Sequence, residues 1–198
     1  MLSGMGHKVS CWATAAPSKE GCSSWPYEVH VFDAGWPLGW RRSRGFVRGL
    51  SREVDSVDIL HINEFWLFPV LAASRIACAH RVPYVLRPAG SLDPWSLQYG
   101  WWKRVKKLAY LEMIGKRTMR QAACLHATSD REAEGLRRLG HRDRTSIIPN
   151  GVDLDVFGPG DPSEAEVYWP WLKGRPIVLF LSRLDPKKGL DLLIPAWA

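Results

Sequence analysis

Short apolar runs rich in β-branched residues alternate along this chain with longer stretches whose apolar positions recur at helical spacing. The short runs predict strands at 8–13 (KVSCWA), 28–32 (EVHVF), 57–62 (VDILHI), 83–87 (PYVLR), 122–127 (AACLHA), 145–148 (TSII) and 176–182 (PIVLFLS). Between them, 66–79, 101–121 and 130–139 read as helices, with Pro69 placed in the first turn of the earliest. Strands that alternate with helices form a parallel sheet, so the expected fold is α/β and Rossmann-like, with helices on both faces.

The firmest borders belong to 130–139: Ser129 can cap the helix, Glu132 stands where a capping box needs it, and Gly140 follows the last turn. In 101–121, Val105, Leu108, Ala109 and Leu111 form a stripe expected to face the core. From Pro149 to Arg175 the chain carries Pro149, Pro159, Pro162 and Pro170 among several glycines, a composition suited to a linker. The expected organisation is therefore one domain over 1–150, a linker over 151–175, and the start of a second Rossmann-like domain over 176–198.

The 198 residues, 46% hydrophobic and 11% aromatic, can bury a core, which excludes a disordered chain. Cys11, Cys22, Cys78 and Cys124 have neither C-x-x-C spacing nor a histidine at a zinc-like interval, so they read as reduced thiols and imply neither a metal site nor a disulfide framework. The longest nearly apolar run, FWLFPVLAA at 65–73, is about half of what a bilayer span requires. Gly4, Gly6, His7 and Lys8 interrupt the N-terminus where a signal peptide needs an apolar stretch. A cytoplasmic location follows as the expectation. The net charge of +7 is concentrated in 101–121, where Lys103, Arg104, Lys106, Lys107, Lys116, Arg117 and Arg120 face only Glu112. This segment is either a solvated face or a surface for anionic lipid, which would make the protein peripheral at the inner face of a membrane; its tryptophans suit core or membrane contacts better than nucleic acid.

Two regions offer chemistry. The run 176–182 leads into Arg183, a turn through Asp185 and Pro186, then Lys187, Lys188 and Gly189 at a helix start. A diphosphate placed there would meet backbone N–H groups and fixed cations; a solvated basic turn is the competing reading, since neither a P-loop nor a G-x-G-x-x-G motif is present. The second region is the set of loops after VDILHI and PYVLR, which carry His61 and Glu64, and Gly90 and Asp93. Open α/β sheets bind ligands at such strand ends. Asp93 could equally cap a helix that begins at Pro94, and His61 could be an ordinary strand-end histidine.

IIPNGVDLDVF at 147–157, RPAGSLDPWSL at 87–97, LHATS at 125–129 and the strand followed by SRLDPKKG at 182–189 together resemble the retaining glycosyltransferases of the GT-B fold, in the large family four. The resemblance implies a nucleotide-sugar donor whose diphosphate is held by Arg183 and Lys188, with no metal and no further cofactor, and a glycan or lipid-linked acceptor bound near His61, Glu64, Gly90 and Asp93. Asn150 and Gly151 would shape the turn between domains. Relatives often carry histidine immediately before the glycine of the second loop, where this chain has Ala89. The family also places a first strand ahead of the segment LSGMGHKVS and its pair of glutamates after Ala198, so the catalytic residues are expected outside this sequence and the 198-residue chain is expected not to turn over by itself. A non-catalytic acceptor- or partner-binding remnant and a nucleotide-sugar epimerase on a related fold are the alternative readings.

Overall fold

The computed structural model describes residues 3–15, 27–93, 101–141, 143–158 and 160–197. The chain divides into two compact units, Met1–Pro149 and Asn150–Ala198.

Among the described residues the first unit holds six strands, β1 (Ser10–Ala15), β2 (Glu28–Asp33), β3 (Leu60–Asn63), β4 (Tyr84–Arg87), β5 (Cys124–Ala127) and β6 (Thr145–Ile147). Strands β1 and β2 pair in one parallel sheet, and β3, β4, β5 and β6 follow one another in a second. Helices α1 (Arg44–Glu53), α2 (Phe68–His80), α3 (Trp101–Tyr110), α4 (Lys116–Gln121) and α5 (Asp130–Arg138) flank the sheets. This is the Rossmann-like α/β arrangement that the alternation of strand and helix predicts.

The register explains the core. Ile62 stands opposite Leu86, and Leu86 opposite Leu125, so three apolar side chains line up across β3, β4 and β5 on one face. Against that row pack Val70, Ala73 and Ala77 of α2, Met119 of α4, and Ala133 and Leu136 of α5, all buried. Tyr84, almost fully buried, donates its hydroxyl to the Thr118 carbonyl. A buried polar group costs little when it finds a partner of this kind.

Helix α1 lies in a segment for which the sequence reading assigned no element. Ser43 caps it by accepting from the Phe46 N–H at 3.2 Å, and Phe46 and Leu50 bury its inner face against Phe32 of β2. Between α3 and α4 the chain makes a π-helical turn, Leu111–Gly115. Here Gly115 allows a close approach: a Cβ at this position would lie 2.8 Å from Cζ of Phe65 and 3.1 Å from Cδ1 of Leu111.

Two expectations are corrected. The stripe of 101–121 does not face the core along α3: Val105 and Leu108 are exposed and the helix buries none of its residues, although Tyr110 at its end packs against the core and Leu111 after it is buried. In the second unit, the stretch 151–175 contains a short helix, α6 (Pro162–Tyr168). The run 176–182 forms no strand: among the described residues it has no neighbouring strand to complete a ladder, and Leu181 is left 88% exposed. A lone extended segment cannot satisfy its backbone in pairs. It leads instead to a 3-10 turn, Pro186–Lys188, and to α7 (Leu190–Trp197).

Gly115→Ala sets a clash with the buried Phe65 ring against the helix-forming gain of alanine. Because Phe65 is itself enclosed, the clash dominates, and we expect a net loss of about 1–2 kcal/mol in denaturant unfolding. Unchanged or higher stability would contradict the packing described.

Candidate functional site

Parallel pairing brings the carboxyl ends of β3, β4 and β5 side by side, and the loops that leave them are tied together by two carboxylates. Glu64 follows β3 with a left-handed backbone, φ +77°, while its N–H bonds to the Arg87 carbonyl at 2.9 Å. Its side chain accepts from Ser91 Oγ at 2.8 Å, which joins the β3 loop to the β4 loop. Ala89 and Gly90 in the β4 loop also have positive φ, +53° and +76°. A left-handed conformation is costly for a residue with a Cβ, and such strain tends to collect at functional sites.

Glu132 performs the second tie. Its carboxylate accepts from the Gly90 N–H at 2.7 Å, the Thr128 N–H at 2.8 Å and Thr128 Oγ1 at 2.9 Å. Ser129 Oγ does accept from the Glu132 N–H, as the capping-box spacing predicts. The carboxylate, however, goes to Thr128 and across to Gly90, not to the Ser129 N–H, because the β4 loop stands within reach at the mouth of the helix. Glu132 is thus a site residue that capping statistics concealed.

Of the sequence-predicted residues in this unit, Glu64 and Gly90 are brought together through Ser91, which lies next to Gly90 in the chain and bonds to Glu64. Asp93 closes the β4 loop, its N–H bonding to the Gly90 carbonyl at 3.2 Å and Oδ1 lying 3.6 Å from Arg131. Its expected role as the cap of a helix from Pro94 lies outside the described residues. His61 is placed elsewhere, on the polar face of the sheet with Asn63, Arg87 and His126. There its Nε2 meets Nδ1 of His126 at 3.2 Å with the rings stacked, and His126 Nε2 reaches the Ile148 carbonyl at 2.8 Å. A carbonyl only accepts, so His126 donates from Nε2, and in the neutral ring Nδ1 is then the acceptor for His61. Burial, then the neighbouring His126 and Arg87, hold the His61 pKa below the ordinary histidine value.

Arg183 and Lys188 belong to the second unit, and both are exposed. Lys188 closes the 3-10 turn, its N–H bonding to the Asp185 carbonyl at 2.8 Å, and Gly189 follows with φ +67° before α7 begins. A separate cavity of about 610 Å³ opens at the end of β2, lined among others by Asp33, Trp36, Arg42 and Arg44. The stretch Arg42–Gly45 that lines one side of it was not read as functional from sequence. Among the described residues, no cluster of three or more His, Cys, Asp or Glu side chains could hold a metal.

A family model described as Glycosyltransferase Family 4 matches residues 1–156. The chain is similar to the D-inositol 3-phosphate glycosyltransferase of Nocardiopsis dassonvillei, with 43% identity over 82 residues, 40% of this chain and 19% of that protein. It is also similar to the D-inositol 3-phosphate glycosyltransferase of Nocardia farcinica, with 35% identity over 89 residues, 44% of this chain and 20% of that protein. The match spans about a fifth of the length of these curated relatives. Among solved structures, Anabaena Alr3699/HepE in complex with UDP and glucose aligns with a TM-score of 0.62 at 19% identity, over 86% of this chain and 44% of that one. The same protein in complex with UDP-glucose aligns with a TM-score of 0.62 at 17% identity, over 95% and 57%. At these identities the likeness establishes a shared fold.

Two measurements test the site. Glu132→Gln replaces an acceptor of three donors with an amide that carries donors of its own, and we expect a loss of about 1.5–3 kcal/mol in urea unfolding; a neutral result would remove the carboxylate from its tying role. For His61, the fold disfavours the proton that the unfolded chain takes up at about pH 6.5. Unfolding stability should therefore fall as pH drops below that value, and flatten below the lowered folded pKa. His141, whose pKa is also lowered by burial and then by Arg120 and Arg144, acts in the same direction. His61→Gln should accordingly shrink, without abolishing, the difference in stability between pH 7.5 and 5.5; an undiminished difference would count against the histidine pair.

Proposed function

The chain belongs to glycosyltransferase family 4, and on that premise we propose that it forms the acceptor-binding part, and opens the donor-binding part, of an enzyme that transfers a sugar from a nucleotide-sugar to a glycan or lipid-linked acceptor in cell-surface polysaccharide or glycolipid synthesis. The observation that carries the reading is the joined set of loops at the ends of β3, β4 and β5. Glu64 keeps one carboxylate oxygen on Ser91 Oγ, and a carboxylate with further lone pairs can accept from a sugar hydroxyl. Glu132 fixes the Gly90 loop, so the surface offered to an acceptor is rigid before binding.

On the donor side, the departing nucleoside diphosphate gains negative charge as the glycosidic bond breaks, and fixed cations stabilise that charge in the transition state. Arg183 and Lys188 are assigned this role, with no metal ion needed. HepE is described with UDP and with UDP-glucose, which supports a uridine diphosphate sugar as the first donor to try. The names of the curated relatives make D-inositol 3-phosphate the first soluble acceptor to try.

Titration calorimetry of the 198-residue chain with UDP and with uridine isolates the diphosphate contribution without requiring turnover. UDP should bind at least about tenfold tighter than uridine, as charge-assisted hydrogen bonds permit, and Arg183→Ala with Lys188→Ala should erase the difference. Equal affinities in the unaltered chain would refute the assignment of these two residues.

A further inference from the structure

The arginines that follow β2 serve neither the core nor the strand-end loops. Between Asp33 and Glu53 the chain carries Arg41, Arg42, Arg44, Arg48 and Arg52, with no acid and no lysine among them. Arg44, Arg48 and Arg52 stand at i, i+4 and i+8 of α1, about 6 Å apart along its axis, on the side away from the buried Phe46 and Leu50. All three are exposed, as is Arg42. Among the described residues no carboxylate pairs with any of these four.

Two cavities share this stretch. The one of about 610 Å³ at the end of β2 has Asp33 and Trp36 in its wall beside Arg42 and Arg44. A second, of about 310 Å³, is lined by the same two arginines and continues past Arg48 to Phe68, at the start of the helix that leaves the Glu64 loop. The wall is held in place: the Gly35 N–H bonds to the Arg42 carbonyl at 2.7 Å, Arg41 Nη1 donates to the Thr14 carbonyl of β1 at 3.0 Å, and Trp40 meets Phe68 edge to face at 5.4 Å. Trp36 stands 87% exposed at the rim.

We propose that these joined cavities and the arginine row of α1 bind an acidic glycan, a sugar chain that carries a carboxylate on successive residues. A guanidinium matches a carboxylate with two parallel hydrogen bonds, which a lysine cannot do. Cations repeated along one helix face suit a ligand whose charges also repeat, whereas a single anion would leave most of the row unused. Asp33 beside Arg42 and Arg44 leaves the first cavity one positive charge in excess, which fits a singly charged carboxylate better than a dianionic phosphate. Asp33 can also accept from sugar hydroxyls, and the Trp36 ring offers an apolar surface for the C–H face of a sugar. Nucleic acid is the poorer occupant, because single strands are held by stacking successive bases on several rings, and the row itself presents none. To call this glycan the acceptor rests on the glycosyl-transfer reading; its binding does not.

Titration calorimetry of the whole chain with tetragalacturonic acid tests the groove. At low salt this probe should bind at least about tenfold tighter than its carboxyl-reduced, neutral counterpart, as several exposed ion pairs permit, and the advantage should shrink as salt screens them. Arg44→Ala with Arg48→Ala should weaken binding at least about fivefold, and because both side chains point away from the core, circular dichroism should match the parent. Lys103→Ala with Lys106→Ala removes the same charge elsewhere and should leave the affinity at the parent value. Trp36→Ala should weaken the charged and neutral tetramers by a similar factor, at least about threefold. Equal affinity for the two tetramers in the unaltered chain, parent-like binding by the arginine pair variant, equal weakening by the lysine pair variant, or tighter binding of glucose 6-phosphate or of an oligothymidylate of equal charge would each overturn the proposal. If UDP and uridine bind alike while the two tetramers are still told apart, the donor assignment fails and the groove stands.

Discussion

Parallel pairing of β3, β4 and β5 in a register that sets Ile62, Leu86 and Leu125 in one row is the constraint on which the rest of the first unit depends. Alternation then assigns every other residue to the opposite face, so His61, Asn63, Arg87 and His126 have to lie together. The same pairing places three strand ends side by side, and the loops that leave them are neighbours before any of their own contacts form. Helix packing on the apolar row and polar chemistry at the strand ends are two results of one register. A slip of a single residue would exchange the two faces.

The loops are held by charge more than by apolar burial. Glu132 and Glu64 are the acceptors for the Gly90 and Thr128 N–H groups and for the hydroxyls of Thr128 and Ser91. Two further features, the positive φ values of Glu64 and Ala89, show the backbone held in conformations that side chains resist. Strain of this sort persists because the surrounding bonds over-determine the geometry. The loops are therefore specified twice, by the strands they leave and by the carboxylates that join them.

Much of this was legible in the sequence, for identifiable reasons. Six strands could be read because each is a short run rich in β-branched and apolar residues, bounded by polar stretches, and α5 could be read from Ser129 and Gly140. Helix α1 was readable as well, from the Ser43 cap and from Phe46, Leu50 and Val54 at helical spacing, but its many arginines and glycines hid the pattern. The run 176–182 illustrates the opposite error: apolar content suggested a strand, yet strand formation needs a partner that periodicity does not report. Glu132 was seen only as a local capping residue, since its bond to Gly90 spans 42 positions and no short window contains both. The direction of α3 was misjudged because an apolar stripe at helical spacing marks a distinct face of the helix without reporting which neighbour that face meets.

That turn carries a wider consequence. A π-helical turn amounts to one residue inserted into an α-helix, which displaces all that precedes it by about 100° around the axis relative to all that follows. Across Leu111–Gly115 the displacement separates a half that looks outward from a half that looks inward, although both belong to one continuous rod. A single codon is thus the smallest genetic step able to turn an apolar stripe from interior packing to exterior contact. It does so without adding a loop or a domain.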